Sequence, residues 1–103
     1  MSFTDEKWRA FEAYREMHKL RAVWSIYTID NLDLMSGLSA AAVVYVDHWG
    51  PKPVRVLLKS GELTWGELFH AADAAIRQSG DDHHIYIENF RVEGTTLVLE
   101  TGS

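Results

Sequence analysis

His84-Ile85-Tyr86-Ile87-Glu88-Asn89-Phe90-Arg91-Val92-Glu93-Gly94-Thr95-Thr96-Leu97-Val98-Leu99 reads as two strands joined by a tight bend. Its first arm alternates His84, Tyr86, Glu88 and Phe90 on one face with Ile85, Ile87 and Asn89 on the other. A one-residue slip in pairing exchanges those faces, so the bend decides which row lies inside. A two-residue turn at Glu93-Gly94 pairs Phe90 with Leu97 and Glu88 with Leu99, and makes Glu88 a buried acid. A three-residue loop at residues 92–94 pairs Ile87 with Leu99 and Asn89 with Leu97 instead, turning His84, Tyr86, Glu88 and Phe90 outward. The first demands positive φ of Glu93, which suits that side chain poorly; the second asks it only of Gly94, as a bulge. The three-residue loop is preferred, and Glu88 is expected at the surface.

Upstream, residues 64–79 read as a helix. Thr64-x-x-Glu67 forms a capping box, and Gly80 occupies the position where a helix end favours a left-handed residue. Trp65, Leu68, Phe69, Ala72 and Ile76 give it one apolar face. Residues 3–20 read as a second helix, with Phe3, Ala10, Ala13, Tyr14, Met17 and Leu20 along one stripe. Trp8 points nearly opposite, with Phe11 and His18 on the flank, so this helix offers a second surface to pack; the plainer alternative is a surface Trp8 covered by Arg15.

Between the helices, residues 22–29 are rich in β-branched and aromatic residues and favour a strand, although Met17, Leu20, Trp24 and Tyr27 also continue a helical spacing. Residues 30–39 read as a loop or short turn of helix, 40–48 as a central strand, 49–53 as a Gly-Pro turn and 54–59 as a further strand. The expected architecture is one α+β domain over residues 1–103, in the order α-β-β-β-α-β-β. An antiparallel or mixed sheet of four to five strands packs against two helices in two layers.

The chain has 103 residues, with 15 acidic and 10 basic side chains and a net charge of −5. No cluster of Lys and Arg offers the counterion release that nucleic acid binding needs. Cysteine is absent, which removes disulfides, thiolate metal sites and Cys nucleophiles. The apolar run 40–46 is too short to span a bilayer, and residues 1–20 are too charged for a signal peptide, so a cytoplasmic protein is expected. Four tryptophans strain the capacity of a small core, which suggests that one serves a contact surface.

Asp81-Asp82-His83-His84 resembles a metal site at first sight. Adjacent residues entering a strand point to opposite faces, however, and Glu88 lies about 13 Å beyond His84 along an extended chain. A polar loop is expected, with no metal and no cofactor. His70 and Asp73, with Arg77 a turn further on, read as a solvated salt-bridge edge. Asp47-His48-Trp49 ends a strand, where a His can serve as a base, but Asp47 points away from His48 in a regular strand. No Gly-x-Ser-x-Gly elbow or phosphate-binding glycine loop occurs.

Trp65-x-x-Leu68-Phe69-x-Ala71-Ala72-Asp73, together with His84-x-Tyr86-Ile87-Glu88-x-Phe90 and Leu97-x-Leu99-x-Thr101-Gly102-Ser103, resembles small uncharacterised bacterial proteins carried in integron gene cassettes. The resemblance covers the last forty residues or so and implies a soluble, compact bacterial protein. It also implies a group that often forms homo-oligomers and includes small-molecule pockets. It supplies no catalytic residues.

The reading that follows is a homo-oligomeric binding or interaction module using Trp8, Phe11, His84, Tyr86, Glu88 and Phe90, with a protein or small-molecule partner. The alternative is an enzyme acting on a small polar metabolite, with Glu88 and His84 or His48 as acid and base. Its pocket would be walled by Trp49, Trp65 and Tyr86.

Overall fold

A fully formed capping box opens the second helix. Thr64 has an extended backbone (φ −75°, ψ 159°), its Oγ1 accepts from Glu67 N at 3.1 Å, and Glu67 Oε1 accepts from Thr64 N at 2.9 Å. Gly80 closes the same helix in the left-handed region, at φ 79°. The computed structural model describes residues 3–26, 28, 29, 31–46, 53–81 and 83–102, with the backbone alone at residues 3–7. In chain order its elements are α1 (Phe3–Met17), β1 (Val23–Trp24), β2 (Met35–Leu38), β3 (Ala42–Tyr45), β4 (Val54–Leu57), β5 (Leu63–Thr64), α2 (Trp65–Ser79), β6 (Tyr86–Glu93) and β7 (Thr96–Gly102). None of these helices is long and apolar enough to cross a membrane.

The α+β architecture expected from the sequence is present. Five strands form one mixed sheet in the order β1-β6-β7-β3-β4, and β2, within the segment read as loop or short helical turn, pairs with β5 just ahead of α2 in a separate two-stranded ladder. β7 is central: it runs antiparallel to β6 and parallel to β3, while β4 folds back antiparallel on β3. β1 is a two-residue parallel edge on β6, so among the described residues of 22–29 only Val23 and Trp24 are strand, Tyr27 lying outside the described residues. At the other edge lies β4. The apolar face of α2 buries Leu68, Phe69, Ala72, Ala75 and Ile76 against the sheet. Each large aliphatic or aromatic side chain so buried contributes roughly 1.5–3 kcal/mol.

The final hairpin takes neither expected register. Glu93 pairs with Thr96, Val92 with Leu97 and Phe90 with Leu99, leaving Gly94-Thr95 as a two-residue loop. Gly94 alone takes positive φ, 61°, as the first central residue of a II′ turn does. The register then shifts between Ile87 and Asn89, so Glu88 is an extra residue on β6. This bulge brings both parities to the core: Ile87 and Phe90 are buried, while Tyr86, Glu88 and Asn89 are exposed. The outward row is therefore corrected at Phe90, which is only 7% exposed.

α1 also differs from its expected orientation. Phe11 is buried in the core, Tyr14 stacks on Phe69 at 5.6 Å, and Met17 is 78% exposed. Ala10 and Ala13 are exposed too, so the inward face is rotated by roughly a third of a turn from the stripe read in the sequence. Phe11 outweighs the small alanines because a ring buries far more surface. The helix stops at Met17 through a Schellman motif: Leu20 N donates to Arg15 O at 2.9 Å and Lys19 N to Glu16 O at 3.2 Å. Lys19 adopts φ 55° with no glycine present, which is why no helix end was visible there.

Asp73 secures the segment after that motif. Its Oδ1 accepts from both Arg21 N and Ala22 N at 2.7 Å, and its Oδ2 accepts from Arg77 Nε at 2.7 Å. Arg77 Nη2 also donates to Lys19 O at 2.8 Å. The solvated salt-bridge edge is thus corrected: Asp73 is a buried anchor holding the α1–β1 connection on α2.

Candidate functional site

β4 lies at the sheet edge, and the hydrogen-bond phase fixes what that edge displays. Ala42 pairs with Leu57 and Val43 with Val56, and Leu58 N donates to Ala41 O at 2.9 Å. Val54, Val56 and Leu58 consequently turn their backbone groups to β3, and Arg55 and Leu57 turn theirs away from the sheet. Side chains follow the same alternation: Val54 and Val56 lean toward the core, while Arg55 is exposed and Leu57 is 76% exposed. Beside this edge runs an open trough of about 390 Å³ between β4 and α2, floored by Val56, Leu58, Leu63, Ala71 and Ala74.

Polar groups mark the rim of the trough. Lys59 Nζ meets Glu67 Oε2 at 2.7 Å, and this bond, with the Thr64 backbone bond, holds the Glu67 carboxyl below its ordinary range. His70 lies edge-on to His18, ring centroids 4.9 Å apart. Partial burial and then the neighbouring His18 lower its pKa, with Asp73 acting against them. Tyr14 completes this aromatic group, 4.2 Å from His18 and 6.0 Å from His70. Burial, then Asp33 and Glu67, push its hydroxyl pKa up.

A second polar assembly joins the end of α2 to β6. The Asp81 side chain is 0% exposed and accepts from Tyr45 Oη at 2.8 Å, His83 N at 2.8 Å and His84 N at 3.0 Å, with His84 Nδ1 at 2.9 Å. Burial alone would raise its pKa, but these bonds prevail and hold the carboxyl well below the usual range. Thr101 Oγ1 reaches Tyr45 Oη at 3.3 Å, extending the network to β7. Chemically, the carboxylate fixes the orientation of a His84 ring that keeps 22% of its side chain exposed. The expected polar loop is thus a buried anchor, and among the described residues no group of three His, Cys, Asp or Glu could hold a metal ion.

The residues singled out by sequence are not gathered in one place. Phe11 and Phe90 belong to the core, Trp8 is half-buried, and Tyr86 and Glu88 are exposed. The Glu88 carboxylate lies over Gly102, its Cδ 2.7 Å from where a Cβ on that glycine would be. Trp65 is half-buried edge-on to the fully buried Trp24, 6.2 Å between rings. Asp47, His48, Trp49 and Asp82 fall outside the described residues.

Sequence reading missed Asp81 as a buried hub because its partner Tyr45 is 36 residues away. It also missed the β4 edge, although Pro53, Arg55 and Lys59 around an apolar strand are the residues that guard exposed edges. No protein-family model, curated protein or solved structure matches the chain.

Proposed function

We propose that this protein is an interaction module that takes an extended segment of a partner polypeptide as a sixth strand on β4, beside α2. The observation that carries this reading is the outward-turned backbone of Arg55 and Leu57 running along an apolar trough. Main-chain hydrogen bonds would supply affinity there, and alternate side chains entering the trough would supply specificity. Four strand residues make a small contact, below the ~1,000 Å² of a stable interface, so the interaction is a transient one.

The test is selection of extended octapeptides from a random display library, followed by resynthesis of each binder with N-methyl groups on alternate residues. Strand addition requires that one of the two N-methyl phases abolish binding and that Leu57→Pro abolish it too. Leu57 N–H faces away from β3, so proline there removes an outward donor without breaking the internal ladder. Binders indifferent to both changes, or no binders at all, would refute the reading.

A second reading, acid–base chemistry on a small polar molecule, draws on the Asp81–His84 geometry. It moves the expected acid–base partner of His84 from Glu88 to Asp81. Chemical modification with an imidazole-reactive reagent that labels the exposed His83 and leaves the His84 ring untouched would remove it.

A further inference from the structure

We infer that the strand taken up by β4 carries a carboxylate beside Arg55 and aliphatic side chains toward α2, an inference that rests on the docking reading above. The chain as a whole is acidic, yet residues 53–59 contain Arg55 and Lys59 and no acid. Lys59 is committed to Glu67, as Arg15, Arg77 and Arg91 are to their own carboxylates. Arg55 has no such partner among the described residues, and its cross-strand neighbour on β3 is Val44. It therefore stands in the middle of the free edge as an exposed cation with its charge unmet.

An added strand places one residue directly across from Arg55 on its open side. Opposite charges at such a position contribute roughly 0.2–1 kcal/mol, which corresponds to about 1.4- to 5-fold in affinity, and like charges subtract similarly. On the other face, small Ala71 and Ala74 leave the trough open to alternate side chains spaced about 6.6 Å apart along a strand. A second copy of this chain does not meet the requirement with its own β4. That strand offers arginine or leucine to Arg55, and no carboxylate.

The test uses three acetylated, amidated heptapeptides that alternate Val with Glu, Lys or Ser, titrated into the full chain by fluorescence polarisation. The expected order is Glu tighter than Ser by about 3-fold and Ser tighter than Lys, with Arg55→Glu reversing it. Equal binding of all three, still blocked by Leu57→Pro, would overturn the charge preference and leave strand addition standing. Binding of none would overturn both. Concentration-dependent dimerisation abolished by Leu57→Pro would overturn the inference by making a second copy the occupant.

Discussion

Replacing Asp81 with alanine should cost this domain about 3 kcal/mol. The carboxylate accepts three hydrogen bonds and meets the His84 ring, all within 3.0 Å, from a side chain with no exposed surface. Bonds to a charged group are each worth roughly 1.5–3 kcal/mol net, but the sum overstates the loss. The backbone N–H groups of His83 and His84 lie near solvent and can be rehydrated, and Tyr45 Oη keeps Thr101 at 3.3 Å. A loss of about 3 kcal/mol is a large share of a typical 5–15 kcal/mol and lowers Tm by roughly 12–24 °C in a domain of this size. Because the native pKa of Asp81 is depressed, its stabilisation is complete above the unfolded carboxyl value near pH 4 and is lost as pH falls toward the native one. Urea unfolding followed from pH 7 to pH 2 should show wild type losing that increment below about pH 4. Asp81→Asn should start lower and show a flatter acid limb. A variant within 1 kcal/mol of wild type, or an unchanged acid limb, would refute the account of Asp81 as the hub.

Five further substitutions, in three comparisons, probe the packing. A Cβ at Gly66 would lie 2.5 Å from Tyr14 Oη and 3.1 Å from Leu32 O. Gly66→Ala should therefore destabilise by about 1–2 kcal/mol despite its helix propensity, and Tyr14→Phe should restore much of it in a double-mutant cycle by thermal melts. Lys19→Gly should stabilise by about 0.5–1 kcal/mol in urea titration, since it relieves the left-handed Lys19 at some entropic cost. Phe90→Ala should cost about 3–5 kcal/mol while Tyr86→Ala stays within ~0.5 kcal/mol, by the same titration, because the bulge at Glu88 puts one ring inside and the other out.

What was legible in the sequence was local. Thr64, Glu67 and Gly80 act on neighbours within a turn, so α2 and its caps could be read directly. The bulge at Glu88 was not legible, because Ile87 and Phe90 become core neighbours only when β7 and the helices demand both. The end of α1 rests on a lysine in a conformation that lysine does not advertise, compensated from Arg77 across the fold. The roles of Asp73 and Asp81 depend on Ala22 and Tyr45, 51 and 36 residues distant, and spacing along a chain carries no trace of such bonds. The β4 edge lay between these cases: its alternation and its guarding charges were visible, but its place at the end of the sheet was a matter of topology.

Amide hydrogen exchange across β4 tests the docking claim most directly. Val54 and Val56 donate into β3 and should exchange slowly with or without a bound peptide, while Arg55 and Leu57 should exchange freely alone and slow at least 10-fold when an extended peptide saturates the protein. A peptide that binds tightly and leaves the Arg55 and Leu57 amides as fast as before would show that the strand edge is not where this protein meets its partner.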